Sequence, residues 1–198
     1  MRPRHGAADD LIDRAMTEMA PVPTADQCYD IMKRYNMLDN IKRHSIQVMN
    51  VSMALVDNLK NPSVIQSDLV QAAALLHDIA KTKAIAAKEL RHDLLGGQMM
   101  REMGYDAIAD IVESHVFFIG FKPDANLEER EIVFYADKRV LHDVIVSVDD
   151  RVDDLVKRYG INDQTVNLIN DNRKFVWQVE YKLQKFLTKN IEEIVSSL

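Results

Sequence analysis

The chain of 198 residues reads as an all-α protein: a single-domain helical bundle with a long helical segment at its C-terminal end. Three observations predict this. Apolar residues recur at spacings of three and four along almost the whole length, and no segment keeps the alternation of a strand. Hydrophobic residues make up 47% of the chain, enough for one buried core at this length. No repeat, low-complexity tract or change of composition divides it. Residues 39–160 read as the central unit, 1–38 as helices packed on it, and 161–198 as an extension of the same domain.

The elements follow in order. Leu11, Ile12, Ala15, Met16 and Met19 form one stripe, which Pro21 and Pro23 end. Thr24-Ala-Asp-Gln27 is a capping-box pattern, and Cys28, Ile31, Met32 and Tyr35 then share a face. Asp39 or Asn40 can cap the next helix, whose inward positions are Ile41, His44, Ser45, Val48, Val51 and Leu55; Asn61-Pro62 closes it. Ser67 can cap a helix carrying Leu69, Ala72, Ala73, Ala74, Leu75 and Leu76. With so little polar face, this helix is expected to be the most enclosed element. Residues 80–91 read as a connecting loop with helical turns.

His92-Asp93 opens a helix with Leu94, Leu95, Met99, Met100 and Met103 inward and Gly104 as its C-terminal cap. Gly96-Gly97 inside it cost about 1 kcal/mol each relative to alanine, which is consistent with close approach of a neighbour. Tyr105 to His115 is a further helix. Asn126 can cap the one from Leu127 through Ile132, Val133, Tyr135 and Ala136 to Asp137. Ser147 caps another, ended by Gly160. From Asn162 onward, Val166, Ile169, Val176, Trp177, Leu183, Leu187, Ile191 and Ile194 read as one long helix or two, packing on the core or on a second copy in a homodimer.

Composition narrows the function. The net charge is −6 with no basic stripe, which argues against a nucleic-acid backbone binder. The first ten residues lack the apolar centre of a signal peptide, and no apolar run approaches the roughly 20 residues of a membrane span. The expected setting is therefore cytoplasmic, without membrane attachment. Cys28 is the only cysteine, so neither an intrachain disulfide nor a thiolate zinc cluster can form, and its simplest reading is a small buried apolar residue.

The informative stretch is Ala72-Ala-Ala-Leu-Leu-His77-Asp78-Ile-Ala-Lys81, an apolar run ending in three polar groups. Buried charge is costly unless paired or bound to metal, so His77 and Asp78 read as adjacent metal ligands. His44, His92, His115 and Asp137 are the further candidates, each on an inward face or at a helix end. Each histidine alone would read as a hydrogen-bonded core residue; the ordered set changes that reading. Imidazole and carboxylate together suit divalent transition metals, with iron or manganese favoured over zinc, nickel or magnesium. Six ligands exceed the need of one catalytic ion with open positions, and two ions can clamp a phosphoryl group and activate water. Lys81 lies one helical turn beyond His77. It reads either as a helix-terminal lysine or, the favoured reading, as a phosphate contact beside the metals. Arg91, Lys138, Arg139 and Arg151 are weaker candidates for contact with a small nucleotide or other phosphate-containing substrate, and the favoured reading of each is a solvated or ion-paired side chain. His142-Asp143 reads as a solvated turn, and His5 has no role.

The order His44 … His77-Asp78 … Asp137 resembles the HD-domain superfamily of metal-dependent phosphohydrolases, over residues 40 to 155. The resemblance implies an all-helical HD-type metal-binding domain and hydrolysis of phosphate esters or anhydrides, usually of nucleotides. It implies that His44, His77, Asp78 and Asp137 surround one ion, that His92 and His115 hold a second, and that Asp78 bridges the two. Asp78 and Lys81 then carry the catalytic roles. Within the superfamily, Leu-Leu-His-Asp-Ile-Ala-Lys and Ala-Asp-Lys look most like the bacterial HD-type diadenosine tetraphosphate hydrolases. The Gly-Tyr-Pro segment of cyclic-di-GMP phosphodiesterases is missing, and Ala80-Lys81 replaces the Glu-Asp pair of alarmone hydrolases. Both departures weigh against those substrates. The alternative is a nucleotide-sensing or interaction domain that keeps the metal-binding fold without turnover.

Overall fold

The computed structural model describes residues 22–198, so the stripe from Leu11 to Met19, with Pro21 and His5, lies outside the described residues. Helix α1 spans Ala25–Arg34 and starts on the capping box of Thr24 and Gln27. Helix α2 spans Asp39–Asp57, and α3 spans Ser67–Leu76. A single 3-10 turn at Pro62–Val64 lies between them, with Asn61 as its cap. Helix α4 covers Lys81–Ala87, α5 His92–Glu102, α6 Asp106–Ser114 and α7 Glu129–Asp137. Helix α8 covers Val148–Tyr159, α9 Asp163–Phe186 and α10 Ile191–Val195.

The all-helical expectation holds with one departure. Strands β1 (Val140–Leu141) and β2 (Val144–Ile145) form a short antiparallel hairpin around His142-Asp143, with Val140 opposite Ile145. Two residues per strand are too few to register as alternation. Other local corrections concern caps and one loop. Asp39 and Ser67 are the first helical residues rather than caps; Leu38 and Gln66 take the cap positions without side-chain bonds. Glu128, not Asn126, caps α7, in a reciprocal box with Glu131. Residues 81–87, within the stretch expected to be a loop with helical turns, form a regular helix, α4, which stops where Lys88 turns left-handed at φ 56°.

Helix α3 is the centre of the molecule, packing against α1, α2, α6 and α7. Val70 and the run Ala72 to Leu76 are buried, and the three alanines let neighbouring helices approach its backbone closely. The Gly96-Gly97 pair has the same purpose in α5. A Cβ on Gly96 would stand 2.8 Å from Val112 Cγ1 of α6, and one on Gly97 would collide with the Glu113 side chain. The helical cost of the glycines is thereby offset by tight α5–α6 packing.

The C-terminal segment closes on this same core. Val176, Val179, Leu183, Leu187, Ile191 and Ile194 are buried. Backbone bonds Lys60 N to Phe186 O (2.8 Å) and Thr188 N to Asn58 O (2.9 Å) tie it to the exit of α2. Two polar links, each from a buried cation, orient it. Lys182 Nζ donates to Glu131 Oε1 at 2.7 Å and to Asn126 O at 2.9 Å. Arg139 donates to both Glu192 oxygens and to the Tyr135 hydroxyl. Phe118, Phe121, Phe134 and Phe175 form an aromatic cluster that pins the α6–α7 loop to α9.

Candidate metal centre

The six candidate ligands come from five elements and converge. His44 projects inward from the second turn of α2. His77 is the C-terminal cap of α3, and Asp78 follows it in the turn before α4. His92 is the first residue of α5, His115 caps the end of α6, and Asp137 is the last residue of α7. Helix ends supply rigid positions whose side chains point beyond the helix that holds them.

The histidines are oriented by backbone carbonyls. His77 Nδ1 lies 2.8 Å from Ala74 O and His115 Nδ1 lies 2.5 Å from Val112 O. Both carbonyls belong to last helical turns, where the regular bond from an amide four residues on is missing. A carbonyl only accepts, so each Nδ1 carries the proton and each Nε2 turns a lone pair inward. His44 repeats the device with a distant carbonyl: its Nδ1 lies 2.8 Å from His142 O. The hairpin turn, which the sequence marks only as solvated, thus orients a candidate ligand from a residue at φ 57°.

The Nε2 atoms fall into two groups that meet at Asp78. His44, His77 and Asp137 form one set of mutually close ligand atoms, and Asp78, His92 and His115 form the other. Asp78 Oδ2 lies 3.5 Å from His77 Nε2 and 3.9 Å from His44 Nε2. Asp78 Oδ1 lies 3.2 Å from His92 Nε2 and 3.5 Å from His115 Nε2. Asp137 Oδ1 lies 2.9 Å from His44 Nε2 and 3.7 Å from His77 Nε2. Each carboxylate oxygen of Asp78 therefore faces a different imidazole pair.

This donor set fits divalent cations. His77 Nε2 and Asp78 Oδ1 are buried with no hydrogen-bond partner among the described residues, an arrangement that native interiors avoid. His92 Nε2 and His115 Nε2 stand 3.1 Å apart. With the His115 proton on Nδ1, its Nε2 lone pair can accept either a His92 N–H or a cation shared by the two rings. Oxygen and imidazole nitrogen ligands without thiolate suit first-row divalent metals.

The electrostatics agree. Burial would raise the Asp78 carboxyl, but Lys81 and the imidazoles outweigh it and hold the group well below the usual carboxylate range. Asp137 is held low in the same way, chiefly by Lys138 against the effect of burial. Burial lowers His77 to about 3, so it is neutral at pH 7 and able to ligate.

The predicted substrate contacts divide. Lys81 Nζ donates to Asp78 Oδ2 at 2.7 Å and is partly exposed. Burial would lower its pKa, but Asp78 raises it, so it stays charged. Arg151 is buried beside the first group, with Nη2 3.9 Å from Asp137 Oδ1. Both line a cavity of about 70 Å³ together with His44, Asp78 and Arg158. Lys138 is buried elsewhere: its ammonium donates to Asp137 Oδ2 at 2.6 Å and to His115 O at 2.8 Å. Arg139 is committed to Tyr135 and Glu192. Arg91 clamps Asp93 and lies over the Phe117 ring. It borders a larger cleft of about 640 Å³ that none of the six candidate ligands lines. Size alone would select that cleft, but the candidate ligands His44 and Asp78 line the small cavity.

Sequence reasoning missed the His142 carbonyl and Arg158. A backbone carbonyl leaves no side-chain signal. Arg158 was findable, since it sits seven residues after Arg151 and so on the same face of α8.

Fold and centre together define an all-helical domain built around two adjoining His/Asp ligand groups. The chain belongs to the HD domain family, whose model matches residues 41–153. Two curated relatives are both named tRNA (cytidine(56)-2'-O)-methyltransferase. The one from Picrophilus torridus is 36% identical over 95 residues, 48% of this chain and 26% of the relative. The one from Thermoplasma volcanium is 27% identical over 155 residues, 72% of this chain and 44% of the relative. The chain thus spans less than half of either relative, and neither bears the name of the diadenosine tetraphosphate hydrolases that its motifs resemble. No solved structure matches it.

Proposed function

We propose that the protein is a metal-dependent phosphohydrolase that cleaves a phosphate ester or anhydride of a nucleotide, a dinucleoside polyphosphate among the candidates. The observation that carries this reading is Asp78, whose two oxygens face two separate groups of inward-turned imidazoles. His44, His77 and Asp137 would hold one divalent ion, His92 and His115 the other, and Asp78 would bridge them. Such a pair, iron or manganese by preference, supplies an activated water at neutral pH and neutralises phosphoryl oxygens.

The chain's own groups account for the rest. The Ala74 and Val112 carbonyls hold His77 and His115 in one tautomer, and the His142 carbonyl orients the His44 ring. Lys138 holds Asp137 in place from behind. Lys81 stays charged beside Asp78 and draws a substrate phosphate to the centre, offsetting charge that builds as the bond breaks.

The test is elemental analysis of purified protein followed by product identification on a panel of mono- and dinucleotide polyphosphates. About two equivalents of metal and turnover of one substrate class are expected. Protein that binds no metal refutes the reading. A second reading, a nucleotide-sensing or interaction module without turnover, is favoured by the relatives, whose names describe a methyl transfer rather than a hydrolysis. Tight binding of a panel member without products would select it.

A further inference from the structure

The Arg151 guanidinium is the least explained charge in the described residues. It is about nine-tenths buried, and it makes no side-chain hydrogen bond among them. Its nearest carboxylate oxygens, on Asp137 and Asp154, stand 3.9 Å and 3.6 Å away, beyond hydrogen-bond distance, and its Nε has no partner. A buried guanidinium left without bonds is costly, and this one lines the small cavity over His44 and Asp78.

The cations of that cavity are ordered. Lys81 bonds Asp78 directly, Arg151 stands between Asp137 and Asp154, and Arg158 pairs with Asp154 alone. Arg158 is therefore one step further from the ligand carboxylates, yet lines the same cavity. At about 70 Å³ the cavity is far below the roughly 300–1,000 Å³ of pockets that enclose an organic ligand, but it has room for a tetrahedral anion. Two planar guanidinium forks suit phosphate oxygens better than any base or sugar.

We propose that Arg151 and Arg158 form a second anion site, one phosphate outward from the reacting centre, and that the substrate is a phosphoanhydride rather than a simple monoester. The proposal rests on the phosphohydrolase reading above. Lys81 faces the phosphate under attack, while Arg151 and Arg158 hold the phosphate joined to it. An oxygen–phosphorus bond forms from water, which releases its proton to solvent. The bridging bond breaks, and its electron pair stays on the departing phosphate between the two arginines.

The experiment is titration of the manganese-loaded protein with methylenediphosphonate, a non-hydrolysable diphosphate, and with methylphosphonate, with manganese content measured before and after. The diphosphonate is expected to bind at least tenfold tighter. Arg158→Gln should remove about tenfold of that affinity, leave methylphosphonate within about twofold and leave manganese content unchanged; Arg158→Lys should recover part of the loss. Equal weakening of both probes, or of neither, overturns the second site. The two readings separate on the wild-type protein. A diphosphonate preference without hydrolysis of ADP or a phosphomonoester keeps the anion site and removes the hydrolase. Hydrolysis with equal binding of both probes does the reverse.

Discussion

Replacing Asp78 with asparagine tests the centre most directly. The side chain is 1% exposed and lies within 4 Å of Lys81 and four imidazoles. Asparagine keeps the volume, so no cavity forms, but it removes the charge that both ligand groups share. Removing one partner of a buried charge interaction costs about 3–5 kcal/mol, which is roughly two to almost four decades of affinity. The loss should fall on both ions, because each oxygen of Asp78 faces a different group. The assay is metal content per mole after gel filtration, manganese titration at pH 7.5, and the hydrolysis rate, with far-ultraviolet dichroism as the folding control. A folded Asp78→Asn protein that keeps two equivalents of metal and its full turnover would refute the shared-bridge reasoning. Loss of one equivalent alone would show that the two groups bind independently.

Other predictions follow from the same geometry. Lys81→Ala should retain metal and lose about tenfold in phosphate affinity, read by competition with inorganic phosphate; release of the metals would disprove its assigned role. Gly96→Ala should destabilise by about 1–3 kcal/mol, since Val112 is stiff and buried; Gly97→Ala should cost less without being neutral, because Glu113 is partly exposed but must shift from Cγ outward and give up its pairing with Arg101. Urea denaturation of both variants would reverse that reasoning if it ranked them the other way. Lys182→Met should cost about 3–5 kcal/mol by leaving Glu131 unpaired, and the double variant with Glu131→Gln should recover at least half; a double variant as unstable as the single one counts against a charge effect.

In the metal-free protein, His77 sits at about 3 when folded against an ordinary 6.5. The unfolded chain therefore takes up a proton that the folded chain refuses. Stability should fall by about 1.4 kcal/mol per pH unit below 6.5, with Asp78 and Asp137 adding slope below 3.8. A flat urea midpoint from pH 7 to 4.5 in EDTA would contradict this. Cys28 is buried, with its thiol pushed up to about 12, so an aromatic disulfide reagent should modify it only after unfolding.

Much of this was legible from residue order. Spacings of three and four marked the helices because each must bury one stripe, and an apolar helix ending in His77-Asp78 marked the centre because buried charge demands a partner. The caps at Asp39, Ser67 and Asn126 misread because short polar residues near a helix start signal its neighbourhood, not its first hydrogen bond. The 81–87 helix reads from sequence only as helical turns in a loop because it carries one buried side chain, Ala84, and so leaves no stripe.

By itself, then, the sequence determined the helical class, the central apolar helix and the six candidate ligands, since periodicity and residue chemistry are local properties. Tertiary structure alone decided how those residues share space. It set one Asp78 oxygen toward each imidazole pair, turned Lys138 inward against Asp137 while leaving Lys81 at the cavity, and brought the His142 carbonyl across 98 positions to His44. Packing directions of helices far apart in the chain set these distances, and no spacing along the chain encodes them.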